Sequence, residues 1–413
     1  MSLFVQKFGG TSLATAEKIR QAARRAIKAK LAGHTVVLVV SAMGDATDKL
    51  IELAAALCND PPKRELDMLL TTGEQVSIAL MAMAIHAAGH EAISLTAAQL
   101  GLVTDSAHTR ARIQRISRDR IDRELACGKI VIVAGFQGID TTGEITTLGR
   151  GASDTTATAL AAVLGAQVCE IYTDVDGVYT ADPRIVARAR KIGRLSYDTM
   201  LEMAACGAGV MHARSIEFAK KFKVAVHVRS SMTEAEGTTI IAESPGMEAR
   251  SVEGVTLRED LAVVSLNGVP NTPGIAARIF AEVARHDILV DDIVQNIYGE
   301  GKFANLGFST DAGDAAEAEA VCERIATELG TASVHVDRGV SKVSAIGLGM
   351  RTHTGIAALM FEALAKAEVN IQNISTSETV VSCIVRKEEG PKALRHIHDA
   401  FELDRANGND GTG

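Results

Sequence analysis

The 413-residue sequence has no block of basic residues: 43 Lys and Arg are spread among 51 Asp and Glu, for a formal net charge of −8. Nucleic acids and anionic membrane surfaces are recognised by clustered positive charge, so neither is an expected partner. The six cysteines (Cys58, Cys127, Cys169, Cys206, Cys322, Cys383) stand apart, with no CxxC pair and no histidine at zinc-ligand spacing. That excludes a zinc module and reads as reduced thiols that mostly serve packing. No uninterrupted apolar stretch reaches the length of a bilayer-spanning helix. The first residues run directly into an apolar, β-prone segment at 3–8, without a basic leader or a small-residue cleavage site. A cytoplasmic globular protein is the expectation. The Walker pattern GxxxxGK[ST] is also missing, so any nucleotide must be held by other means.

With 47% hydrophobic residues the chain can bury a large core, and its length favours two or three domains. To about residue 240, short β-branched runs alternate with longer Ala- and Leu-rich patterns of helical period, the signature of an α/β domain on a largely parallel sheet. Strands are expected at 3–8, 35–42, 93–96, 130–136, 168–173 and 224–229, and helices at 15–32, 48–57, 66–88, 154–164 and 215–222. Such sheets bind ligands at the C-terminal ends of their strands. Beyond 243–250 the chain repeats itself at an offset of 81 residues. Gly274, Ile275, Ala276, Ala277 and Phe280 face Gly355, Ile356, Ala357, Ala358 and Phe361, and the match continues to Ile293 and Ile374. Two copies of one small β-α-β-type unit are implied, either a dimerisation module or a ligand sensor.

Five segments carry candidate chemistry. Lys7-Phe8-Gly9-Gly10-Thr11-Ser12 ends a strand in a paired-glycine turn, where backbone N–H groups and a lysine can approach phosphate; ordinary turn chemistry is the plain alternative. Ser41 to Asp48 (SAMGDATD) follows the second strand, and Thr72-Gly73-Glu74 lies in or before a long helix. Their hydroxyls and carboxylate suit a substrate ammonium, while Thr47 or Asp48 can equally cap a helix. Thr146 to Ala157 (TTLGRGASDTTA) sets Arg150 between glycines before a helix start, an arrangement that can fork onto a small carboxylate; capping explains Ser153 and Asp154 but not Arg150. Tyr172 to Arg184 (YTDVDGVYTADPR) is a strand end and a dense polar loop able to border a nucleotide.

Taken in order with the repeat, KFGGTS, VSAMGxxTD, TGE, TTLGRGxSDTTA and YTDVDGVYTADPR resemble the aspartate kinase branch of the amino acid kinase superfamily, and the repeat resembles its tandem ACT domains. The resemblance implies an amino acid kinase fold, a largely parallel sheet between helices over residues 1–245, followed by two α+β ferredoxin-like ACT domains at 260–335 and 341–407. It implies ATP and Mg²⁺ as cofactors, the metal held through the ATP phosphates with no protein metal site, and L-aspartate as substrate. Lys7 and Asp154 would be catalytic. Lys7, Phe8, Gly9, Gly10 and Ser41 would meet ATP, with Thr173, Asp174, Tyr179, Asp182, Pro183 and Arg184 in the nucleotide segment. Thr47, Glu74, Arg150, Gly151 and Ser153 would hold aspartate. Lysine or threonine or both would bind at Asn271, Gly274, Ile275, Ala276, Asp291 and Gln295 of the first repeat and Ile356, Asn370, Ile371 and Thr376 of the second. A homo-oligomer through ACT pairing is implied, with Met247 a possible internal start for a separate regulatory chain.

Two positions depart from the family pattern. Gly209 stands where a lysine is common, which calls for compensation by Lys220 or Lys221 or else weakens nucleotide binding. Ala152 replaces the last glycine of an RGG motif, tolerable unless the backbone there needs a positive φ. Two rivals remain: a kinase for another small carboxylate such as N-acetylglutamate, and a non-catalytic sensor.

Overall fold

The computed structural model describes residues 2–149, 151–242, 251–330, 333–348, 350 and 355–405. The chain forms two compact units: Met1–Tyr179, Lys191–Ala205 and Gly209–Met247 in the first, and Thr180–Arg190, Cys206–Ala208 and Glu248–Gly413 in the second.

The first unit is built on strands β1 (Leu3–Phe8), β2 (Thr35–Val40), β3 (Ala92–Leu95), β4 (Ile130–Ala134), β5 (Val168–Thr173), β6 (Arg194–Ser196), β7 (Val226–Ser230) and β8 (Thr238–Ile241). They form one sheet in the order β6-β8-β7-β5-β1-β2-β4-β3. All pairings are parallel except β7 with β8. The central strands are unbroken apolar runs, TVVLVV in β2 and IVIVA in β4, because both faces are covered. Each fully buried Val or Ile there contributes ~1.5–3 kcal/mol. Register aligns Phe8 with both Val40 and Tyr172, and Val40 with Ala134, so four loops leave the sheet at one edge.

Helix α1 (Ala16–Leu31) buries Ile19, Ala22, Ala23, Ala26 and Ile27, one face at three- and four-residue spacing, and starts at Thr15, whose hydroxyl accepts the Lys18 N–H. It is followed by α2 (Ala46–Leu57), the 25-residue α3 (Lys63–Ala87), α4 (Ser153–Leu164) and α5 (Ala213–Phe222). By length and composition α3 is apolar enough to cross a membrane, although Thr71, Thr72, Glu74 and Gln75 interrupt its apolar run; half of that stretch is buried inside the structure. The six expected strands are present. Strands β6 and β8, at one side of the sheet, were not anticipated, nor was a second sheet of three- and four-residue strands between 102 and 147.

The second unit holds two four-stranded antiparallel sheets. One has the order β11-β12-β10-β13, from β10 (Leu261–Pro270), β11 (Ile293–Tyr298), β12 (Phe303–Asp311) and β13 (Ser333–Asp337). The other has the order β9-β14-β16-β15, from β9 (Gly254–Arg258), β14 (Val340–Ile346), β15 (Asn373–Thr376) and β16 (Val380–Arg386). Helices α6 (Ile275–Arg285) and α7 (Ala315–Leu329) accompany the first, α8 (Ile356–Lys366) and α9 (Gly390–Ala400) the second. The repeat is real in three dimensions: α6 and α8 both open at a left-handed glycine, Gly274 at φ 92° and Gly355 at φ 100°. β9 lies before both expected module spans yet completes the sheet of the second, so the first module is inserted within the second.

Candidate active site

At the shared edge of β1, β2, β4 and β5, the loops interlock. Gly9 gives its N–H to the Tyr172 carbonyl at 3.2 Å, Ser41 gives its N–H to the Phe8 carbonyl at 3.1 Å, and Gly44 gives its N–H to Gly10 at 2.9 Å. A Cβ on Gly10 would sit 2.8 Å from the Ala42 carbonyl oxygen and 2.9 Å from that of Gly44, so close backbone approach demands glycine. Phe8 itself is fully buried and stacks on Tyr172 at 4.7 Å between ring centres. Its side chain is core rather than part of a nucleotide pocket.

Lys7 ends in an ion pair with Asp154, Nζ to Oδ1 at 2.6 Å, with both side chains nearly buried. Asp154 is the second residue of α4, whose N-cap is Ala152, and no side chain caps that helix. Capping therefore explains neither Ser153 nor Asp154. Likewise α2 starts from Asp45 without a side-chain cap and Thr47 lies inside the helix, so Thr47 is not a cap. The Gly149 and Gly151 backbones are left-handed, at φ 97° and 77°, while Ala152 has φ −76°, where its methyl costs nothing. Arg150 lies outside the described residues.

Glu74, on α3, is almost wholly buried. Its Oε1 accepts the Ala42 N–H at 3.1 Å and its Oε2 is buried with no hydrogen-bond partner among the described residues. Burial pushes its carboxyl up to about 7, against the pull of the Ala42 N–H. A half-satisfied buried carboxylate at a ligand-binding sheet edge is complementary to an ammonium.

In the nucleotide segment, the Thr173 hydroxyl donates to Asp174 at 3.0 Å and the Tyr179 hydroxyl to Asp176 at 2.7 Å. Lys191 reaches the other oxygen of Asp176 at 3.2 Å. Asp182 accepts the Arg184 N–H at 2.8 Å and its Nη2 at 2.7 Å. Asp182, Pro183 and Arg184 belong to the second unit, where Ala181 and Val186 of the same loop enter the core of the second module. Gly209 is left-handed at φ 64°, a conformation that disfavours any lysine there. Lys220 pairs with Asp198 and Lys221 lies 5.4 Å over the Phe222 ring, so both expected substitutes are engaged elsewhere.

The Amino acid kinase family matches residues 2–230, and the ACT domain family matches 343–401. Aspartate kinase Ask_LysC of Stutzerimonas stutzeri (strain A1501) is 47% identical over 99% of each chain, and the aspartokinase of Bacillus sp. (strain MGA3) is 48% identical over 98% of each. This chain belongs to the aspartate kinase family. It is an enzyme, a kinase that phosphorylates aspartate with a nucleotide as donor. The crystal structure of E. coli aspartokinase III in complex with aspartate and ADP has the same fold, with a TM-score of 0.84 at 24% identity over 96% of this chain and 99% of that one.

In the second unit, Asn271 is tied to the turn between β11 and β12, its Nδ2 donating to the Gly301 carbonyl at 2.8 Å. Gln295 and Thr376 are exposed on the edge strands β11 and β15. Asp291 is already engaged: Lys342 Nζ lies 2.5 Å from it and 3.1 Å from Asp292, and Arg258 lies 3.6 Å away. Gly274, Ile275 and Ala276 open α6, Ile356 opens α8, and Asn370 and Ile371 precede β15. The sequence reading passed over Asp176, hidden in a polar loop, and His212, whose N–H reaches Asp154 Oδ2 at 3.4 Å. A lone histidine at a helix start has no spacing pattern that would have flagged it.

Proposed function

We propose that Lys7 and Asp154 form the phosphoryl-transfer centre of ATP:L-aspartate 4-phosphotransfer. The observation that carries this reading is the buried Lys7–Asp154 pair at a glycine-lined strand edge, one loop from the half-satisfied Glu74. The β-carboxylate of aspartate is ionised at neutral pH and needs no general base. Catalysis then rests on positioning and charge. Lys7, oriented by Asp154, neutralises the moving phosphoryl oxygens, while Gly9, Gly10 and Ser41 line the phosphate path. Thr173, Asp174 and Tyr179, with Asp182, Pro183 and Arg184, serve the nucleoside end. Thr47, Arg150, Gly151 and Ser153 hold the substrate carboxylates and Glu74 its ammonium. Magnesium carried on the triphosphate would supply further charge neutralisation. No group of three or more His, Cys, Asp or Glu among the described residues is placed to bind it without the nucleotide.

The product, 4-phospho-L-aspartate, opens lysine, threonine and methionine synthesis, and lysine, threonine or both would inhibit through the ACT modules of an oligomer. Met247, the candidate internal start, lies outside the described residues. ADP release with L-aspartate, N-acetylglutamate and other small acids, with and without lysine and threonine, tests the reading. Turnover with L-aspartate alone, suppressed by an effector, supports it; preference for another acid or insensitivity to every effector overturns the respective half.

A further inference from the structure

Arg214 is the second residue of α5, where the positive end of the helix disfavours a cation. Its guanidinium is half-buried, and burial, joined by the neighbouring Arg112, lowers its hold on its proton while Glu217 and Asp105 oppose. Its hydrogen bonds among the described residues go to main-chain carbonyls rather than to a carboxylate. Nη1 donates to the Leu148 oxygen at 2.7 Å and Nη2 to the Ala111 oxygen at 3.1 Å. A charge kept against burial, a helix dipole and a like neighbour holds something in place that a neutral side chain would not.

What it holds is the entrance to one turn. Leu148 and Ala111 are buried in one apolar cluster with Ala152, and the strand before the turn is tied already. The Ala111 N–H goes to the Thr147 carbonyl and the Leu148 N–H to the Phe136 carbonyl, both at 2.9 Å. The Leu148 carbonyl is the last acceptor before Gly149 and Gly151, both left-handed at φ 97° and 77°, and α4 begins two residues later at Ser153. Glycines leave such a turn many conformations, so its position is set by what anchors its ends. A planar guanidinium can bridge two carbonyls at a fixed separation, whereas a lysine ammonium is a point donor. We propose that Arg214 is a positioning residue for aspartate, its fork fixing the entry of the 149–151 turn and with it the backbone that meets the substrate carboxylate. This rests on the reading above that Gly151 and Ser153 hold aspartate. The phosphate path is anchored elsewhere, by Gly9 on the Tyr172 carbonyl and Ser41 on that of Phe8. Loss of the fork should therefore fall on one substrate.

Steady-state kinetics of full-length wild type, Arg214→Met and Arg214→Lys separate positioning from packing, because methionine keeps much of the apolar stem and lysine also keeps the charge. The Met variant should raise the aspartate KM roughly tenfold or more, with the ATP KM held within about twofold, and Lys should fall between Met and wild type. A purely structural residue would lower the melting temperature and the active fraction without splitting the two KM values. A wild-type aspartate KM in the Met variant overturns the proposal, as does an equal rise in both KM values or a loss confined to kcat. So does a Lys variant with the wild-type aspartate KM, since charge without the fork would then suffice. If the Met variant fails to fold, the Lys variant decides by the same split. Absence of wild-type turnover with L-aspartate would instead overturn the reading beneath.

Discussion

Two carboxylates on α3 lie two turns apart on one face, both buried, and their surroundings are opposite. Asp67 is saturated: it accepts the Thr147 hydroxyl at 2.6 Å, the His108 Nδ1–H at 2.8 Å and the Thr109 N–H at 3.0 and 3.1 Å. It thereby holds Thr109 in a left-handed conformation, φ 69°, against the helix. Glu74 has one N–H on one oxygen and, among the described residues, no partner on the other. Burial alone therefore does not mark a site; a buried charge that the fold leaves incomplete does. Asp67 should matter for stability and Glu74 for ligand.

The largest expected effect lies where a site charge is removed outright. Lys7→Ala should cut turnover by about a thousandfold or more, because its charge acts chiefly as the phosphoryl group moves. The pair with Asp154 is buried, so the melting temperature should fall too, but a folded variant with near-normal kcat would remove Lys7 from the mechanism. Arg150→Ala should lower kcat/KM for aspartate by roughly 30- to 1000-fold, about 2–4 kcal/mol, by losing a charge-assisted clamp. An effect on ATP alone would refute that assignment.

Asp67→Ala inverts the pattern. It strands the Thr147 hydroxyl and the Thr109 N–H, and should cost about 2–4 kcal/mol in denaturant unfolding while activity per folded molecule holds. A catalytic loss without a stability loss would break the contrast. The second unit offers a smaller version. Exposed Gln295→Ala should raise the inhibitory concentration of lysine or threonine several-fold with unchanged basal rate. Asp291→Ala, which leaves the buried Lys342 ammonium with Asp292 alone, should instead lower the melting temperature. If both variants behave alike, the two residues share one role.

Much of this was legible in the sequence, for reasons that also explain the gaps. The central strands announce themselves because strands buried on both faces are unbroken β-branched runs, as in β2 and β4. Strands β6 and β8 are three and four residues long, too short for a period to show. The 81-residue repeat located both modules but not the β9 insertion, since a repeat compares segments and says nothing of pairing partners. Within the site, the motifs bring Lys7, Gly10, Glu74 and Asp154 to one edge. They could not separate Phe8, a core ring, from its neighbours, nor show that Lys342 already holds Asp291.

Glu74 offers the most direct test, because its half-satisfied carboxyl titrates near pH 7. Raised above the ordinary carboxylate range, the folded group holds its proton between about pH 4.5 and 7. Its favourable contribution is therefore complete below 4.5 and lost as pH rises through 7. Glu74→Gln should accordingly be the more stable protein at pH 8, by roughly 1–3 kcal/mol, with the gap closing toward pH 4.5. Ligand binding runs the other way, since an ammonium requires the carboxylate. The decisive measurement is the aspartate dissociation constant from pH 5.5 to 8.5 in wild type and Glu74→Gln. Wild type should weaken about tenfold per pH unit below 7, while the variant binds poorly and without that slope. A flat wild-type profile, or an unchanged slope in Glu74→Gln, would contradict the claim that the fold leaves Glu74 incomplete for the substrate's ammonium.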